Sequence, residues 1–107
     1  MRIHRIQAEV RTWADKNFGT GRPVHHPLLG AVEELGELAH AHLKGEQGIR
    51  GTREEMSIKA KDAVGDVIIY LMDYCNLRGW DISEILDVTW EHVKTRDWKG
   101  DARKGGE

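Results

Sequence analysis

VGDVIIYLMDYC, residues 64–75, decides the fold. Wound into a helix, the run is apolar nearly all round, the signature of a helix buried on most of its sides. Read as a strand it lacks a partner, because no segment of the chain shows convincing period-two alternation. Asp66 stands inside the run, and Asp62 and Asp73 fall within about 40° of it on a helical wheel. An ionised aspartate in such a helix is costly unless it is paired, hydrogen-bonded or bound to metal. Upstream, Thr52 followed by Glu55 reads as a capping box, so this helix is expected to run from there to about Leu77, before Gly79.

Working outward, residues 2–18 place Ile3, Ile6, Val10, Trp13, Ala14 and Phe18 at steps of three and four, one helix stripe stopped by Gly19. GTGRPVHHP (19–27) is a loop, with Pro27 placed to open a second helix. That helix carries Leu28, Val32, Leu35, Ala39 and Leu43 as its core stripe and is expected to end near Gly45. The glycine-rich GEQGIRG (45–51) then reads as a mobile connection. Asp81 with Glu84 starts a fourth helix, whose stripe is Ile82, Ile85, Leu86, Thr89 and Val93. Four amphipathic helices joined by short connections predict an all-α four-helix bundle in one domain, residues 1–99, followed by a flexible tail at 100–107.

A chain of 107 residues, 39% hydrophobic and 32% charged, suits one soluble globular core. Its formal charge of −2 provides no basic face for a nucleic acid polymer. No run of about 18 apolar residues exists for a membrane span, and MRIHRIQAEV lacks the apolar core of a signal peptide. Cys75, the one cysteine, excludes an internal disulfide and multi-cysteine zinc sites, so the expected location is cytoplasmic.

In AVEELGELAH (31–40), Glu33, Glu34 and Glu37 lie on the side of the second helix opposite its apolar stripe. One reading leaves them in water, and the matching reading pairs Asp66 and Asp73 in buried salt bridges with Lys59, Arg78 or a charge on the fourth helix. The other brings the acids of two neighbouring helices together. Clustered carboxylates raise one another's pKa unless a cation sits between them, which makes a nest for a hard divalent ion. Oxygen ligands alone point to Mg²⁺ or Mn²⁺ rather than zinc, and magnesium usually completes its shell with substrate phosphates.

EELGE (33–37), a glycine-rich loop and DAVGDVIIYL (62–71) together resemble the MazG-like group of all-α nucleoside triphosphate pyrophosphohydrolases, whose pattern is E-E-x-x-E on one helix and E-x-x-D on the next. HPLLGAVEELGELAHA (26–41), QAEVRTWADKNF (7–18) and TWEHVKTRDWK (89–99) resemble the family's second, first and closing segments, so the likeness covers residues 3–99. Glu34 and Glu37 match the paired glutamates, and Asp66 matches the aspartate. The departure is Ala63, where the family's glutamate would stand, with Asp62 one position earlier on the same face as Asp66.

The resemblance implies cleavage of a nucleoside triphosphate to monophosphate and pyrophosphate by metal-activated water. Glu34, Glu37, Asp62 and Asp66 would hold Mg²⁺, or Mn²⁺ in its place, and Glu33 or Glu34 would handle the water. Lys59, Lys61, Lys94 and Arg96 are phosphate-binding candidates, Arg50 and Arg53 could close over the phosphates, and Trp13 is the candidate for stacking on the base. A homodimer or homotetramer is implied as well, with Trp98 a candidate cover for a neighbouring subunit.

Two other classes compete. Glu37 and His40 form one Glu-x-x-His, half of a di-iron carboxylate bundle's signature, but Glu91 is followed by Lys94 where the second histidine would fall. A helical oligomerisation or binding module without chemistry is favoured by the Ala63 departure. GTGR (19–22) reads as a helix stop and turn rather than a phosphate loop, and Cys75 as a packing residue.

Overall fold

The computed structural model describes residues 2–48, 53–97 and 99. These form four helices, α1 (Arg2–Phe18), α2 (His25–Gln47), α3 (Arg53–Arg78) and α4 (Ile82–Val93), and no strand among the described residues. The all-α class expected from periodicity therefore holds. None of these helices is long and apolar enough to cross a membrane. Arg50, Thr52, Trp98 and the tail at 100–107 lie outside the described residues.

Gly19 and Gly79 end α1 and α3 as the sequence predicts, but α2 differs from expectation at both ends. It starts at His25, with Pro27 inside its first turn, where a missing N–H costs nothing because it has no helical acceptor. It also continues through Gly45 to Gln47 and stops at Gly48, whose φ of 66° and N–H bond to the Lys44 carbonyl form a left-handed cap. Gly45 is needed inside the helix, since a Cβ there would stand 3.0 Å from Cβ of Met56 on α3. At α4 the expected start is observed, with the Asp81 carboxylate accepting from the Ser83 N–H at 2.9 Å.

The α2–α3 pair is the most extensive contact in the chain, and it is built on small residues. Pro27, Ala31, Ala41 and Gly45 are the buried residues of α2, facing Met56 and Ala63 of α3. At Gly30 an added Cβ would lie within 2.7 Å of the Tyr70 ring. The Gly30–Tyr70 and Gly45–Met56 approaches fix one antiparallel register along the pair, in which Glu34 stands opposite Asp66.

This packing overturns the expected core stripe of α2. Leu28, Val32, Leu35 and Leu43 are all exposed, Val32 by 62%. Ala31, Ala41, Gly30 and Gly45 face α3 instead, because a close backbone approach rewards small side chains and turns the large ones outward, and Ala39 of the expected stripe is exposed with the leucines. Helix α4 likewise buries none of its residues, with Ile85 and Leu86 exposed. Trp13, on the apolar stripe of α1, is 52% exposed and meets Phe18 edge-on, 5.4 Å between ring centroids.

Polar side chains fasten α1 to α3 and α4. The buried Gln7 amide donates to the Asn76 side chain at 3.0 Å and to the Trp80 carbonyl at 2.8 Å, while its oxygen accepts from the Ile82 N–H at the start of α4. Asn76 donates back to the Gln7 carbonyl, and Arg11 donates to the Asn76 carbonyl. Among the described residues no buried side-chain donor or acceptor is left without a partner.

Asp73 has a salt bridge, though not with the partners the sequence suggested. Arg22, from the loop after α1, donates to both of its oxygens at 2.6 and 3.3 Å, and to Asp15 at 2.6 Å and the Gly19 carbonyl at 2.7 Å. The Arg22 side chain is 4% exposed, and its pKa is raised, first by the bond to Asp73, against the opposing effect of burial. Replacing it removes a buried pair's partner and leaves Asp73 uncompensated. We expect Arg22→Ala to lower unfolding free energy by about 3–5 kcal/mol in urea titrations, with Arg22→Lys recovering only a part because it cannot reproduce the forked contact. Gly30→Ala, which forces Tyr70 off α2, is expected to cost about 1–3 kcal/mol in the same titration.

Candidate functional site

The register of α2 against α3 places both acidic segments along one groove. It has a volume of about 420 Å³ and is lined by Glu34 and Glu37 from α2 and by Asp62 and Asp66 from α3. On a helical wheel these acids lie about 165° from the exposed leucines and valine of α2, so the hairpin has one acidic side and one apolar side. Ala63, 4% exposed, forms the groove floor at the position where the resemblance called for glutamate. Asp62 lies beside it on the same wall.

Glu34 differs from its neighbours. It is half-buried at the seam, and its pKa is raised by desolvation first, then by the charges of Asp66, Glu33 and Glu37. Mutual repulsion among these acids is therefore present in the folded chain. Glu33 itself is exposed and outside the groove lining.

Three further polar residues line the groove toward its other end, namely His40, Lys44 and Lys59. Lys59 was expected among the phosphate-binding candidates. Lys44 and His40 were not, although their steps of three to seven from Glu37 on α2 put them on the same face and could have revealed them. The remaining candidates lie elsewhere. Lys94 is bound to Glu91 at 2.9 Å on α4, Arg96 is exposed beyond the end of that helix, and neither Lys61 nor Trp13 lines the groove. Arg53 lines a separate cavity of about 270 Å³ with Met56 and Ser57. Glu37 and His40 share the groove, but with Glu91 held by Lys94 no second Glu-x-x-His comes to meet them.

Among the described residues no three acidic, histidine or cysteine side chains converge closely enough to enclose a metal ion. The donor set still fits magnesium in kind, because that ion keeps several waters and is commonly held by one or two carboxylates with substrate phosphates completing its shell. Glu34 and Glu37 on one wall face Asp62 and Asp66 on the other, and Glu34 is disfavoured as an anion first by desolvation and then by the charges of Asp66, Glu33 and Glu37. Met56, 7% exposed, brings the only sulfur to the groove lining, and no cysteine or second histidine joins His40 there to favour a softer metal.

Asp73, expected on the same stripe as Asp62 and Asp66, is diverted to Arg22 and takes no part in the groove. Near it, Phe18, Arg22, Pro23, His26, Pro27 and Tyr70 line a more apolar cavity of about 390 Å³. Tyr70 is one helical turn, about 6 Å, beyond Asp66 along α3. Cys75 is buried, and burial pushes its thiol pKa up, in keeping with a packing role. Compared with protein-family models, curated proteins and solved structures, the chain matches none.

The raised Glu34 pKa makes a stability prediction with a definite sign. The folded chain binds this proton more tightly than the unfolded one, so the stabilising effect is present below the ordinary glutamate value of 4.5 and is lost as pH rises through the folded value. Glu34→Gln is therefore expected to melt at a higher temperature than the parent at pH 7, and the difference should vanish near pH 4. Millimolar Mg²⁺ should raise the parent's melting temperature and raise that of Asp66→Ala less, a comparison made by calorimetry at fixed ionic strength.

Proposed function

We propose that the chain is a Mg²⁺-dependent nucleoside triphosphate pyrophosphohydrolase of the MazG-like kind, releasing nucleoside monophosphate and pyrophosphate. The observation that carries this reading is the groove itself, in which Glu34, Glu37, Asp62 and Asp66 stand at one end and His40, Lys44 and Lys59 at the other. Acids and bases separated along one groove match a metal-bound phosphate chain, which needs anionic ligands for the ion and cationic donors for the oxygens the ion leaves uncovered.

Glu37, Asp62 and Asp66 would hold the ion, with Glu34 shared between the ion and the attacking water. Bound magnesium supplies positive charge at the phosphate oxygens and acidifies water. Glu34 is better placed than Glu33 to accept the water's proton, since it lines the groove and Glu33 does not. Lys44, Lys59 and His40 would meet the departing pyrophosphate. The nucleoside then extends past Asp66 toward Tyr70 and Phe18, whose rings line the neighbouring cavity and offer the base a stacking surface.

A binding module without chemistry is favoured by one observation, the exposed apolar residues of α2, α3 and α4. Those of α2 lie opposite the groove, so they do not compete with the hydrolase reading.

The test is turnover by the purified protein of each canonical NTP and dNTP with Mg²⁺, following monophosphate and pyrophosphate. The expected outcome is pyrophosphate release by the parent, reduced at least 100-fold in Asp66→Ala, with Lys44→Met raising KM more than it lowers kcat. Release of inorganic phosphate instead, or no turnover with Mg²⁺ or Mn²⁺, would refute the assignment.

A further inference from the structure

We propose that Lys44 and Lys59 read the terminal phosphate of the substrate, so that the groove selects a nucleoside triphosphate over the diphosphate of the same nucleoside. This specificity rests on the hydrolase reading of the groove and can fail while that reading stands. Cleavage between the first two phosphates does not by itself require a third, and the placement of the two lysines supplies the requirement.

Both lysines stand at the same offset from the acids, one on each wall. Lys44 follows Glu37 by seven residues on α2, and Lys59 precedes Asp66 by seven on α3, which is two helical turns, about 10 Å, along one face of each helix. Gly30 beside Tyr70 and Gly45 beside Met56 make the helices antiparallel, so the two offsets run toward the same end of the groove. Lys44 is half-buried there, and its ammonium group donates to the Gln47 side chain at 3.3 Å, on the side away from Glu37. Among the described residues neither lysine is in an ion pair, in contrast to Lys94, which is held by Glu91. Two uncompensated cations therefore stand two turns beyond the carboxylates.

An ion that promotes attack between the α and β phosphates lies against those two groups, so the acids fix the first part of the phosphate chain. A diphosphate ends at that point. At physiological salt the Debye length is about 8 Å, so cations two turns away gain little from a charge held at the acids. A triphosphate continues along the groove and brings its terminal group, the most highly charged of the chain, into direct contact with both ammonium groups. His40, one turn beyond Glu37, lies between the two ends and faces the middle phosphate.

The test uses the nucleoside whose triphosphate the parent turns over fastest. Its α,β-methylene tri- and diphosphates, which cannot be cleaved at that bond, are titrated by calorimetry with Mg²⁺ at fixed ionic strength. The parent should bind the triphosphate analogue at least about tenfold more tightly than the diphosphate analogue. A variant carrying Lys44→Met and Lys59→Met should lose most of that ratio while its affinity for the diphosphate analogue changes by no more than about twofold. One carrying Lys44→Arg and Lys59→Arg should keep the ratio, because the charges remain. Equal affinity of the parent for both analogues, or a methionine variant weakened equally toward both, overturns the proposal while pyrophosphate release still upholds the hydrolase. A parent that turns over no triphosphate refutes the hydrolase reading and this specificity with it.

Discussion

The close approach of α2 to α3 is the constraint on which the rest depends. Where Gly30 meets the Tyr70 ring and Gly45 meets Met56, neither helix can carry a larger side chain without moving its neighbour. Small residues at the seam have two consequences at once. They bring the backbones near enough for acids on both helices to border a single groove, and they displace the large apolar residues of α2 to its outer side. The groove and the uncovered apolar side are thus products of one packing choice. Neither could be altered at the seam without disturbing the other.

With so little apolar area inside one chain, the junctions of α1 with α3 and α4 rest on polar groups. Gln7, Asn76, Arg22 and Asp73 are all buried, and each is satisfied by geometry that only the folded arrangement provides. Such contacts contribute modestly when complete and cost heavily when broken, so they specify where the helices sit more than they hold them together. Arg22 is the clearest case. One guanidinium joins the end of α1, the following loop and the middle of α3, and so sets the position of Phe18 and of the cavity beside Tyr70.

The helices were legible in the sequence because their signals are local: glycines at 19 and 79, the Asp81 cap, and apolar steps of three and four. The acids were legible in part, since spacing alone groups Glu33, Glu34 and Glu37 with Asp62, Asp66 and Asp73, and the fold keeps Glu34, Glu37, Asp62 and Asp66 in the groove while Glu33 lies outside its lining and Asp73 is held by Arg22. What escaped was the choice between two faces of α2. A stripe of leucines and valines normally outweighs one of alanines and glycines as a core, and nothing within a single helix reveals that its neighbour approaches closely enough to reverse the preference. The partner of Asp73 escaped for a similar reason, since it comes from a loop 51 positions away. A helix expected to end near Gly45 makes Lys44 a terminal residue, whereas α2 runs on to Gln47 and Lys44 lines the groove.

The same packing accounts for Ala63. In the antiparallel register this residue lies within the seam, opposite Leu38, and is almost wholly buried. A glutamate there would have to bend out of the contact between α2 and α3 or force the helices apart, adding a desolvated charge beside Glu34, whose carboxyl already sits above its usual pKa. Moving the acid one position back turns it about 100° around the helix, from the floor of the groove to its wall. An aspartate at 62 then contributes negative charge without entering the seam. Its side chain is one methylene shorter than those of Glu34 and Glu37 on the facing helix. Ala63 thus keeps the seam between α2 and α3 tight, while Asp62 lines the groove beside it together with Glu34, Glu37 and Asp66.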